Sequence, residues 1–219
     1  MDVLSEFISK HNIVTVGRCN DASRFQAWSK EGPLNNDKSI GCGINALTYL
    51  MVYDYAEGEK KALQVNRSEG TTFMEIMQEV SRKANIKIQE VLMDVSTMSN
   101  LQGLEQVLRQ HLPNNSCTIV KWNRFAKEIR PASCRNFTPG HTQVLSKDSE
   151  GRLWIVDPQQ GTRRQWIDSA MLFNKVVNKN CYKNVSLLFD LTQGNSIIES
   201  SIKPSSAATC PCCGRPLPK

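Results

Sequence analysis

Long hydrophobic runs are missing from this chain. No stretch of about 18 apolar residues occurs, which excludes a helix spanning a bilayer. The first twenty residues, MDVLSEFISKHNIVTVGRCN, intersperse acidic, basic and apolar positions and lack the order of a secretory signal. Internal repeats are absent as well. Aromatic residues make up only 7% of the chain and are not interleaved with the basic ones, so no nucleic-acid-binding module is legible. A soluble protein of the cytoplasm, its own cell's or a host's, is the expectation, without membrane or nucleic-acid partners. Histidine is scarce, three in 219 residues, so chemistry that needs an imidazole has only His11, His111 and His141 to draw on.

Cysteine is in excess, at eight. Cys19, Cys42, Cys117, Cys134 and Cys181 are scattered, while Cys210, Cys212 and Cys213 crowd the C-terminus. Without a secretory signal, a thiol nucleophile plus a metal site is expected rather than a disulfide ladder. The formal net charge of +6 permits an acidic partner without demanding one. The groupings Lys121, Arg124, Lys127, Arg130 and Arg163, Arg164 read as solvated faces.

Periodicity divides the chain. Residues 1–40 read as an irregular arm with a short helix at 2–10. From Cys42, apolar Ile44, Leu47, Leu50, Met51 and Tyr55 recur at helical spacing, and Gly58 closes the run. Thr72 and Glu75 form a capping box opening a second helix, with Phe73, Ile76, Met77 and Val80 on one face. A strand is expected over 86–91. Ser99 caps a third helix carrying Leu101, Leu104, Val107 and Leu108, which stops before Pro113. Strands follow over 117–122, 142–146, 153–156 and 185–191, with a helix over 166–177. Helices first and antiparallel sheet second is an α+β order. The expected organisation is a domain over 1–191, a linker over 192–209 rich in Gly, Ser, Asn, Pro and Ala, and a cysteine-rich tail over 210–219.

Cys42 stands in Ile40-Gly-Cys-Gly-Ile44, where irregular chain becomes helix. A thiol at a helix N-terminus meets unpaired N–H groups and the positive end of the macrodipole, which favour thiolate. Gly41 and Gly43 would leave room for a substrate backbone; the competing reading is a cysteine that simply packs. A thiol nucleophile needs an imidazole to take its proton and protonate the leaving nitrogen, and a third group to orient the ring. His141 follows Pro139-Gly140 at the start of a strand, and Asp157 closes the next strand of the same hairpin. The hairpin makes the two neighbours. Trp28, Trp122, Trp154 and Trp166 read as core rather than as a substrate groove.

The segment Gly140-His-Thr-Gln-Val-Leu145, a polar turn, then Leu153-Trp-Ile-Val-Asp-Pro-Gln-Gln-Gly161 resembles the His and Asp half of papain-fold cysteine hydrolases. It is most similar to the toxin-type branch that includes glutamine deamidases, and the order Cys, His, Asp is that of the superfamily. The likeness covers about 22 residues in the second half and about ten around Cys42. It implies a papain-like fold, with Cys42 as nucleophile, His141 as base and acid, and Asp157 as orienter. Gln159 matches the family's DPQ glutamine, either shaping the strand end or contacting substrate. Papain-like enzymes place an oxyanion-binding glutamine about six residues before the cysteine. Here that position is Asn36, a shorter donor, with Gln26 as a second candidate and the Cys42 N–H contributing in either case.

Cys210-Pro-Cys-Cys213-Gly resembles one knuckle of a zinc ribbon and supplies two of the four ligands of a structural zinc site. The remaining pair would come from cysteines such as Cys134 or Cys181, from His111, or from another copy of the chain. The chemistry needs no cofactor. Together these features point to hydrolysis of an amide in a protein or peptide substrate by a thiol protease, isopeptidase or glutamine deamidase. The rival reading is a non-catalytic papain-fold protein that docks partners, or itself, through a zinc-bound tail.

Overall fold

A computed structural model describes residues 3–16, 21–34, 41–64 and 71–192. Its centre is an antiparallel sheet organised around the last strand, β7 (Tyr182–Asp190). On one side β7 pairs with β2 (Ile88–Asp94), and on the other with β3 (Ser116–Arg124). Two-residue β1 (Asn12–Ile13) pairs with the far end of β7, at Phe189 and Asp190. The sheet continues from β3 through β4 (Gly140–Lys147) and β5 (Leu153–Asp157) to β6 (Thr162–Gln165). The α+β class holds, but β1 and β2 come from the first half of the chain. Beyond β3, β7 still offers unpaired edge groups, and that short first-half segment satisfies them.

Adjacent residues of one strand point to opposite faces, and the core divides accordingly. Ile119, Val144, Val156 and Leu188 belong to one buried cluster, while Val120, Leu145, Ile155 and Leu187 belong to another. The first is capped by α2 (Asp21–Glu31), α3 (Cys42–Tyr49) and α5 (Phe73–Ala84) through Trp28, Ile44, Leu47, Phe73, Ile76 and Val80. The second is capped by α1 (Val3–Lys10) and α6 (Met98–His111), with Ile8, Leu101, Leu104 and Leu108. Each such side chain, fully buried, contributes about 1.5–3 kcal/mol.

Several elements depart from the periodicity reading. The 1–40 segment is no irregular arm, because α2 drives Trp28 into the core and lays Arg24 against the end of α3. The helix opened by Cys42 does not run to Gly58. It ends at Tyr49, Met51 takes φ +61°, and a separate α4 (Tyr55–Gln64) follows. Gly58 lies inside α4, where a Cβ would fall 2.3 Å from Thr48 Oγ1, so it is a contact residue rather than a stop. The Thr72–Glu75 capping box is present in full. The cap of α6 is Thr97 rather than Ser99: extended Thr97 accepts the Asn100 N–H, and Ser99 falls within the first turn. The 166–177 segment starts later than its apolar pattern implies. Trp166 is buried just after β6, Asp168 caps α7 (Ser169–Leu172), and a wide π-type turn runs over Phe173–Asn178. Trp28, Trp122 and Trp166 are core, and Trp154 is half-buried beneath the Arg163 guanidinium, 3.4 Å above its ring.

Candidate active site

Helix α3 packs against β4, which brings the residue that opens the helix to the residue that opens the strand. Cys42 is the first residue of α3. The first intrahelical bond runs from Asn45 N–H to Gly41 C=O, so the Cys42, Gly43 and Ile44 amides belong to the turn that lacks intrahelical acceptors. In β4, Val144 stands opposite Val156 of β5, and continuing that register by one residue brings Gln143 to Asp157, to which its side chain is bonded. His141 is then diagonal to Asp157 on the same face. The imidazole Nε2 lies 2.5 Å from Asp157 Oδ2, Gln143 Nε2 donates to the same oxygen at 3.0 Å, and the Gln160 N–H donates to Oδ1 at 3.1 Å. Asp157 is buried, and each of its oxygens has a donor.

With Nε2 committed to Asp157, the other ring nitrogen is the one left to act on Cys42, whose pKa His141 lowers. Burial would push the Cys42 thiol up. The His141 hydrogen bond and charge, with the N–H and hydroxyl of Thr142, outweigh it and hold the thiol below its ordinary value. Burial would likewise lower the His141 pKa, but its bonds to Asp157 and Cys42 push it up to about 9. Burial alone would raise the Asp157 pKa, and His141, Gln143 and the Gln160 N–H together bring it below the usual carboxylate range. The three shifts run the same way, each favouring the charged form of its group: thiolate, imidazolium and carboxylate.

The structure thus brings together Cys42, His141 and Asp157. Gln159 is buried in the turn after β5, and among the described residues its Nε2 has no hydrogen-bond partner. Trp28 Nε1 donates to Pro158 C=O at 2.9 Å, so α2 clamps the same turn. Gln26 lies exposed on α2, because the face of that helix turned inward is the one carrying Arg24 and Trp28. Asn36, Cys210 and Cys213 lie outside the described residues. So do the 193–209 part of the linker and Cys19. His11 stacks on Phe7, with ring centroids 4.5 Å apart, and burial lowers the pKa of His111 at the end of α6. Among the described residues, no group of three or more His, Cys, Asp or Glu is placed to hold a metal.

At Gly43 the space that a side chain would need is already filled by the protein itself. A Cβ there would come within 2.9 Å of Thr71 Cβ and 3.0 Å of Ile76 Cδ1, so the glycine lets α3 close onto α5.

Two residues were beyond the reach of sequence reasoning. Thr142 follows His141, and strand alternation sends its side chain toward α3, which is the only signal that could have found it. Asn45 is fully buried and holds both ends of the 35–40 segment, accepting from Leu34 N–H at 3.0 Å and donating to Gly41 C=O at 2.9 Å. A cavity of about 270 Å³ opens beside the His141–Asp157 pair, lined also by Arg164, Lys175, Lys179 and Tyr182. No family model and no curated protein sequence matches this chain. Among the described residues, no helix is long and apolar enough to cross a membrane.

Proposed function

We propose that the protein hydrolyses an amide bond (peptide, isopeptide or glutamine side chain) with Cys42 as nucleophile, as its resemblance to papain-fold cysteine hydrolases implies. The observation that carries this reading is the His141 ring, which stands on the strand against which the helix opened by Cys42 packs and is bonded through Nε2 to Asp157, with the Cys42 thiol held below its ordinary value by His141. The Cys42 thiolate adds to the carbonyl carbon, and the oxygen takes up the charge facing the Cys42 N–H. The His141 imidazolium gives its proton to the departing nitrogen, which leaves as an amine or as ammonia. A water then gives a proton to His141 and its oxygen to the acyl carbon, freeing the acid and restoring the thiol. Asp157 holds the ring in place throughout and stabilises its charged form.

Site-resolved iodoacetamide labelling at about pH 6 tests the reading. An ordinary thiol, of pKa about 8.5, is under about 1% thiolate there. Cys42 is expected to label well ahead of buried Cys117, and His141→Ala to slow it at least about tenfold. A Cys42 as inert as Cys117 would overturn the hydrolase reading and leave the docking protein as the alternative.

A further inference from the structure

Away from Cys42, two buried cysteines from distant parts of the chain meet. Cys134 ends the second of two short 3-10 turns, Lys127–Ile129 and Ala132–Cys134, in the loop between β3 and β4. Its sulfur donates to Lys179 C=O at 3.4 Å, which places it at the turn leading into β7. Cys181 sits in that turn with φ +56°, its own N–H bonded to Asn178 C=O and its carbonyl accepting the Phe125 N–H at 3.0 Å. The Cys134 sulfur therefore lies against the backbone two residues before Cys181, near enough to raise that thiol's pKa, and both residues are free and buried.

The loop they join is held by guanidinium groups rather than by strand pairing. Arg124 donates to Asn180 C=O and Thr138 C=O, and Arg130 to Phe125 C=O and Phe137 C=O. The loop ends at Gly140, one residue before His141. The imidazole is therefore preceded by a segment anchored through side-chain hydrogen bonds, and a sulfur pair stands ready to add a covalent anchor.

We propose that Cys134 and Cys181 are an oxidisable pair whose disulfide, formed by hydrogen peroxide, fastens the loop that presents His141 to the start of β7. One sulfur attacks a peroxide oxygen, releasing water and leaving a sulfenic acid. The second displaces that oxygen as another water, so two thiols and one peroxide give one disulfide and two waters. The two electrons pass from sulfur to the peroxide oxygens. Burial and the Cys134 sulfur push the Cys181 pKa up to about 11, so the bond forms slowly at neutral pH and faster as pH rises.

The proposal does not depend on the hydrolase reading and is tested without substrate. Full-length Cys42→Ser protein is treated with hydrogen peroxide, alkylated and digested without reductant. The expected product is a peptide linking Cys134 to Cys181 that dithiothreitol removes. The bridge closes a loop of about 47 residues and should raise Tm by roughly 5 °C or more. Hydrogen exchange over 125–139 should slow, and Cys134→Ser or Cys181→Ser should each abolish these effects. Oxidised protein in which both sulfurs remain free thiols, become separate sulfinic acids or pair elsewhere would overturn the proposal. So would a linked peptide that appears only after denaturation.

Discussion

At the scale of single residues, making Cys42 an anion is a shared task. Burial works against the charge, and His141 and Thr142 work for it. Thr142→Val keeps the side-chain shape but removes the hydroxyl donor. A hydrogen bond to a charged group is worth about 1.5–3 kcal/mol, so the thiolate fraction at pH 6 should fall about tenfold or more. Iodoacetamide rate against pH reads this directly as an upward move of the Cys42 titration, with unchanged circular dichroism. The His141 shift sets a second expectation. The productive pair exists above the lowered Cys42 pKa and below the His141 value of about 9. As pH rises through about 9 the imidazolium loses its proton. Turnover should fall there because the leaving nitrogen loses its acid, while Cys42 alkylation should not, because the sulfur stays ionised. Parallel pH profiles of turnover and labelling check both halves, and alkylation that falls together with turnover would contradict the ion pair.

Among the elements, α3 carries the most constraints for its length. Its N-terminal turn is tied to the chain before it by Asn45, and its C-terminal carbonyls, Thr48 and Tyr49, accept from the buried Arg24 guanidinium at 3.0 and 2.6 Å. A cation there meets the negative end of the helix and bonds two of its last carbonyls. Gly43 sets how closely α3 approaches α5. Gly43→Ala should cost about 1–3 kcal/mol by overpacking against Thr71 and Ile76, seen as a lower urea midpoint with an unchanged slope. The same change should also slow Cys42 labelling, because moving α3 away from α5 shifts the sulfur relative to β4. A substitution with neither effect would restore the view that this glycine serves the substrate.

For the whole molecule, the sheet separates two cores, and only one of them supports α3. Leu104 lies fully buried in the other, beneath α6. Leu104→Ala should cost about 2–5 kcal/mol in denaturation while leaving pH 6 labelling of folded Cys42 within about twofold of wild type. A large loss of reactivity would mean that repacking around Leu104 reaches His141 and Asp157, which share the Leu145 and Ile155 face of the sheet. The proposed sulfur bridge belongs to this scale too, since it joins the β3–β4 loop to the central strand.

The sequence by itself determined what short-range physics controls. The capping box at Thr72, the alternating strands around Val144 and Ile155, and the stop of α6 before Pro113 are all local patterns, and each appears where those patterns place it. The nearness of His141 and Asp157 was also legible, because both lie on one hairpin whose register follows from alternation and a short turn. Other features required the chain to fold back on itself. Gly58 reads as a helix stop until Thr48 is found against it, and residues 21–31 read as irregular chain until Trp28 is seen donating to Pro158 C=O. The same holds for Thr142 at the sulfur, Asn45 across the 35–40 segment, and Cys134 beside Cys181. These contacts join residues far apart in sequence, and no local propensity encodes them. They are fixed only when burial of the two faces of the sheet brings α2, α3 and the β3–β4 loop to their places.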